Sequence, residues 1–317
     1  MEMALPEYEY IVSVVIVNYN GEQYLAGCLR ALRDIVGLGV EVIVVDNGST
    51  DGSLDVLAEH ERKELKVIRV GRNLGFGRAN NLGTSVACGK YYLLLNTDCY
   101  LRPHALERLV RVLEERPDMA VVGPRLLNAN GTLQPSCHNF PVPIVLFLEQ
   151  SLLWKLSRGI PFVRDRILIA GPHDREKAVD WLSGACLLVR ASAYKAAGGF
   201  DERFFFYWEE TDLCLRIKRL GWGVLFEPSA EAVHLGGGSS ANPDLLLYFF
   251  KSLYIFYRKH YNPGRLLLAR LIIRLMSLVK AAVRYAHAGM LWLAAENRGQ
   301  ERVLWREAVS WMRIARL

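Results

Sequence analysis

The chain has 317 residues, enough at about 150 per domain for one large domain or two ordinary ones. Apolar residues make up 51% and charged residues 23%, which excludes a disordered or low-complexity protein. The net charge of +6 is unevenly placed: residues 241–317 hold 13 Lys/Arg against 4 Asp/Glu, so residues 1–240 are mildly acidic and binding of nucleic acid through the whole surface is excluded.

The first half alternates strand and helix signals. Ile11–Val17 is a β-branched run, as a strand buried on both faces requires. Residues 21–36 read as a helix with Leu25, Leu29, Leu32 and Val36 on one stripe. Val40–Val45 is a second strand, followed by the turn Asn47–Gly52 and a short capped helix. Strands at Leu65–Val70, Tyr91–Leu95 and Met119–Val122 are interleaved with helices at Leu74–Cys88 and Pro103–Glu115. That order predicts a doubly wound, mostly parallel, Rossmann-like α/β sheet. Residues 131–178 read as loop with one apolar helix around Ile144–Leu156. Helices near Ala191 and over Glu209–Leu220 follow, then strands at Gly223–Phe226 and Ala232–Leu235. Residues 241–317 read as a basic helical extension to a domain of residues 1–240, whose halves meet near residue 125.

Six cysteines show no metal-ligand spacing, which favours a reducing compartment. The N-terminus has acids where a signal peptide needs bases, so a cytoplasmic location is expected.

Ligands of an open α/β sheet bind beyond the carboxyl ends of its strands. Asn18-Tyr19-Asn20, Asp46 to Asp51, and Asn96-Thr97-Asp98 all fall there. Each alone is ordinary turn chemistry. Three at equivalent strand ends favour a site, with Asp46 suited to a pyrimidine N–H and Asp98 to a divalent cation. Neither G-x-G-x-x-G after the first strand nor a P-loop is present, so a metal is expected to neutralise any diphosphate. Further on, five aromatics, Phe204 to Trp208, run into Glu209, Glu210 and Asp212. Acids in a first helical turn suit the helix dipole, and Asp212 with Arg216 is an i,i+4 pair. An apolar wall beside a carboxylate also makes it a better base.

The segments VVIVNYNGEQYLAGCL, VIVVDNGSTDGS, NLGFGRANNLG, YYLLLNTDCYLRP, VDWLSGACLLVR, GGFDERFFFYWEETDLCLRIKRLGW and AVHLGGGSS together resemble family 2 glycosyltransferases of the GT-A fold, and within them bacterial rhamnosyltransferase-like enzymes. The resemblance implies inverting transfer of a sugar, with rhamnose from dTDP-rhamnose favoured over a UDP-sugar. Its acceptor is a hydroxyl of a glycan or lipid-linked saccharide. By the same resemblance Asn18, Tyr19, Asp46, Asp51, Asn73, Asn80, Asn96 and Asp98 are donor-site residues. Asp98 and His234 hold Mg2+ or Mn2+, and Glu210 is the base with Asp212 as fallback. Ser183, Gly184, Trp208 and Glu209 lie on the acceptor side. A non-catalytic sugar-nucleotide binder is the alternative. A sugar nucleotidyltransferase would need a Gly-rich basic loop after the first strand, which is absent.

In the tail no run reaches the roughly 18 apolar residues of a spanning helix. Leu266–Tyr285 mixes apolar residues with Arg270, Arg274, Lys280 and Arg284, as an interfacial helix on anionic lipid does. Packing on the catalytic domain, or a homo-oligomer contact, is the alternative. A peripheral position on the inner face of the cell membrane is therefore expected.

Overall fold

The computed structural model describes residues 10–32, 39–60, 65–149, 154–157, 159–164, 166–169, 171–236, 244–293 and 298–317. In chain order the elements begin β1 (Tyr10–Asn18), α1 (Glu22–Ala31), β2 (Val40–Asp46), α2 (Ser53–Glu59), β3 (Leu65–Arg69) and α3 (Phe76–Ser85). They continue with β4 (Gly89–Asn96), β5 (Cys99–Leu101), α4 (Ala105–Glu115), β6 (Met119–Leu127), β7 (Leu133–Gln134) and β8 (Cys137–His138). Next come α5 (Pro143–Glu149), α6 (Trp154–Ser157), α7 (Pro161–Arg164), β9 (Lys177–Ala178), β10 (Trp181–Leu182) and β11 (Cys186–Arg190). The chain ends with α8 (Ala191–Ala196), α9 (Glu209–Arg219), β12 (Gly223–His234), α10 (Asp244–His260), α11 (Pro263–Leu293) and α12 (Arg298–Ala315).

Two compact units emerge. The first comprises Met1–Phe140, Ile169–Phe205 and Glu209–Gly238; the second comprises Pro141–Leu168, Phe206–Trp208 and Ser239–Leu317. The second unit thus takes residues 141–168 and 206–208 together with the chain from 239 onward. The reason is local: within that unit α5 packs on α11, burying Val145 and Leu146.

The first unit is built on a sheet of order β3-β2-β1-β4-β11-β6-β12-β5. β1 runs parallel to β2 and β4, and β2 parallel to β3. β11 enters antiparallel between β4 and β6, and β12 pairs parallel with β6. The sheet is therefore mostly parallel and doubly wound, as expected, with an antiparallel insertion. Val12, Val14 and Ile16 meet Leu25, Leu29 and Leu32 in one core face. On the other face α3 lies on β1 and β2, where a Cβ on Gly83 would come closer than 3.0 Å to Val15. Burial on both faces explains why these strands read as unbroken apolar runs.

Some boundaries differ from expectation. Val36 lies outside the described residues, and α1 ends at Ala31. The two strands expected over 223–235 are one strand, β12, whose pairing slips between Glu227 and Glu231. Pro228 sits in the slip and has no N–H to give the ladder. The apolar helix expected around 144–156 is seen as α5 and α6; residues 150–153 lie outside the described set.

The second unit is helical. Asn262 caps α11 by accepting from the Arg265 N–H at 2.9 Å, and Pro263 takes its first position. Ala269, Ile273, Met276 and Ala288 form the buried face of α11, which packs with α5, α10 and α12. No helix among the described residues is long and apolar enough to cross a membrane.

Candidate active site

The sheet reverses its winding between β1 and β4, the place where such folds open a crevice. Pairing aligns Asn18 with Asp46 and Val17 with Asn96, so three polar strand ends finish at one level. Asp46 is buried; it accepts from Asn18 Nδ2 at 3.3 Å and from the Ser49 N–H at 3.3 Å. Asn18 also donates to Ser49 Oγ at 3.0 Å, while its own Oδ1 is buried without a partner among the described residues. Tyr19 stands half exposed beside them.

The loop after β3 completes this edge. Asn73 Oδ1 accepts from Asn47 Nδ2 at 3.1 Å and from the Gly75 N–H at 2.9 Å. It therefore ties the loops after β2 and β3 together. Gly75 has φ +87°, and a Cβ there would strike the Phe205 carbonyl, which accepts the Phe76 N–H at 3.0 Å. Glycine is required by both the dihedral and the contact. Asn80 is buried on α3; its Nδ2 donates to the Phe76 carbonyl, and its Oδ1 has no partner among the described residues. Asp51 has a different job. It accepts from the Glu22 N–H and from Ser53 N and Oγ, fixing the starts of α1 and α2. Burial would raise its pKa, but these hydrogen bonds win and hold it below the ordinary value.

Asp98 follows β4, and the Leu235 N–H reaches its carbonyl at 2.9 Å. That bond brings the end of β12 alongside, with His234 Nε2 at 3.2 Å from Asp98 Oδ1. The other ring nitrogen, Nδ1, lies 2.7 Å from Gln134 Oε1. Gln134 is itself oriented, because its Nε2 donates to Asn128 Oδ1 at 3.1 Å. Gln134 Oε1 can only accept, so His234 Nδ1 donates to it and Nε2 faces the Asp98 carboxylate oxygen. Two acceptors that close need a proton or cation between them. An oxygen and an imidazole nitrogen suit a divalent ion, so the residues present fit one. Among the described residues no group of three or more His, Cys, Asp or Glu side chains is gathered around a metal-sized site. Asn96, two residues before Asp98, is anchored through its backbone N–H to the Ala185 carbonyl at 3.0 Å.

That bond brings the turn before β11 to the same edge. Ser183 donates its N–H to the Ser136 carbonyl, and Gly184 lies against the Glu210 carboxyl. Glu209 and Glu210 open α9. Tyr207 and Trp208, just before, both have φ +69°. Left-handed backbone at two bulky residues is costly, and such strain gathers at functional sites. Burial pushes the Glu210 carboxyl up to about 7, partly offset by backbone hydrogen bonds at Glu210, Gly184 and Thr211. Burial, and then the Glu210 charge, push Glu209 well above the carboxylate range. One oxygen of each carboxyl is buried without a partner among the described residues. Burial thus holds both members of the pair toward the neutral form.

Asp212 is fully buried and binds Arg216 Nε at 2.7 Å, so its carboxylate is held in the ion pair its spacing predicted. Trp208 does not present an open wall: its ring is buried within the second unit, against Phe249 and Phe256. Sequence reasoning placed Asn47 only within the Asp46–Asp51 turn, and it missed Gln134 and the docking of Gly75 on Phe205. Only Gly75, in the glycine pair of GFG, carried a signal.

The fold is that of GT-A glycosyltransferases. The family model for Glycosyl transferase family 2 matches residues 13–169, and the chain belongs to that family. It is 31% identical over 261 residues to the N-acetylglucosaminyl-diphospho-decaprenol L-rhamnosyltransferase of Mycobacterium tuberculosis, covering 78% of this chain and 83% of that one. Among solved structures, GalNAc-T7 with UDP, GalNAc and Mn2+ superimposes with a TM-score of 0.59 at 17% identity, over 78% of this chain and 47% of the other. A mannosyltransferase from Pyrobaculum calidifontis in complex with GDP-Man and Mn2+ gives 0.53 at 16% identity, over 98% and 87%.

Proposed function

We propose that this glycosyltransferase inverts the anomeric centre of a sugar, moving it from a nucleoside diphosphate to a hydroxyl of a lipid-linked saccharide. The observation that carries the reading is Glu210: a buried carboxyl in the first turn of α9, raised to about 7, with one oxygen unpartnered. Such a group takes a proton from an acceptor hydroxyl near neutral pH as that oxygen attacks. Glu209, pushed higher, stays protonated beside it, and Asp212 is engaged by Arg216. Asp46, Asn18 and Asn73 lie where a nucleoside binds; the unpartnered Oδ1 atoms of Asn18 and Asn80 await donors such as ligand hydroxyls or N–H groups. Asp98 and His234, oriented by Gln134, would hold a divalent cation. When bound, that ion supplies positive charge for the diphosphate leaving group.

The favoured donor is dTDP-rhamnose, supported by the likeness to the mycobacterial rhamnosyltransferase; a UDP-sugar is the second reading. A lipid-linked acceptor would put the work at the inner face of the cell membrane, with the protein peripheral there. The test is Glu210→Gln assayed with dTDP-rhamnose and with UDP-sugars. Transfer should fall at least about a hundredfold while nucleotide affinity holds. Near-normal turnover would remove Glu210 from the base position. Tight nucleotide binding with no transfer by the unaltered chain would favour a non-catalytic binder.

A further inference from the structure

The exposed side of α11 carries a long apolar stripe. Leu267, Leu268, Leu271, Leu275, Leu278 and Ala282 fall within an arc of roughly 100° at 100° per residue. All six are exposed, Leu267 and Leu275 to 58%. No charged residue falls inside that arc. Arg270 and Arg274, both exposed, line one edge of it. The helix carries five Arg and Lys and no Asp or Glu. At 31 residues it is about 45 Å long, so the stripe is far larger than a scattered surface leucine.

Two occupants fit an apolar stripe: a lipid surface or a second copy of the chain. Stacked face to face, two such helices would put Arg270 and Arg274 of each copy at the margin of the seam, with no acid on either helix to answer them. Anionic lipid answers them with phosphate, and the charge of residues 241–317, net +9, points the same way. The helix is not apolar enough to cross a bilayer, so it lies along the interface. We infer that the Leu267–Ala282 face of α11 docks this protein on an anionic lipid surface, with its leucines among acyl chains and Arg270 and Arg274 on phosphates. The inference deepens the location proposed above by naming the surface that makes it, and its test does not depend on the reaction.

The experiment is sedimentation of the full chain with vesicles of phosphatidylcholine, alone or with phosphatidylglycerol. The unaltered protein should pellet with the anionic vesicles. Leu271→Gln/Leu275→Gln/Leu278→Gln should lower partition about tenfold or more. Arg270→Gln/Arg274→Gln should lower it about fivefold per arginine and remove the preference for anionic lipid. All three positions of the first variant are exposed, so its circular-dichroism melt should match the parent. Equal recovery with and without phosphatidylglycerol, or unchanged pelleting of both variants, overturns the inference. So does a dimer seen by light scattering that the leucine variant dissociates while vesicles leave the parent in the supernatant. Transfer to a water-soluble acceptor reads the reaction separately: failure there, with pelleting intact, overturns the proposed reaction alone.

Discussion

Burial ties the Glu210 proton to the stability of the fold. Its folded pKa, about 7, lies above the ordinary glutamate value because the carboxyl is buried. The stability gained by keeping it neutral is full below that ordinary value and is lost as pH rises through 7. Glu210→Gln is neutral at every pH. The variant should therefore be more stable than the parent at pH 8, by about 3 kcal/mol, and the gap should close by pH 4. Thermal melts at the two pH values check this, and an equal gap at both would contradict the burial argument. The places of Asp98, His234 and Glu210 at the ends of strands and a helix were legible, because each falls in a motif there. Gln134 was not: it meets His234 only through the pairing of β7 with β6, from 100 positions away. Asp212 was half legible, since the i,i+4 spacing to Arg216 named the partner that now holds it.

The loop between β3 and α3 shows how a whole element depends on one missing side chain. Gly75 holds φ +87° and ψ 169° at the start of α3, with Phe205 pressed against it. Gly75→Ala should cost about 1–3 kcal/mol from the backbone alone, and more from the clash. Urea unfolding should report the loss, and titration of nucleotide should show weaker binding as Asn73 shifts with the loop. An alanine variant as stable as the parent would mean that the loop re-forms without the Phe205 contact. At this scale legibility followed length and burial. β1, β2 and β4 were readable because apolar residues fill both faces. β5, β7, β8, β9 and β10 have two or three residues, too few for any period. β12 was read as two strands because Pro228 interrupts its ladder, though the strand runs on.

In the molecule as a whole, residues 141–168 belong with a tail that begins some 70 positions later. A chain ending at residue 238 would leave α5 without α11, and Trp208 without Phe249 and Phe256. Such a truncation should bind a hydrophobic dye and lose its cooperative melt. A sharp transition with no dye binding would show that the first unit folds independently of the tail. Composition had located the tail's charge but not this dependence, because a contact between distant helices leaves no mark on local pattern. The cysteines, by contrast, open a practical route. Five of the six are buried, and Cys88 alone is exposed. It adjoins the first residue of β4, whose far end, at Asn96, borders the site about 23 Å away. The native chain therefore offers a single thiol for a fluorophore, placed to report donor uptake without any residue being replaced.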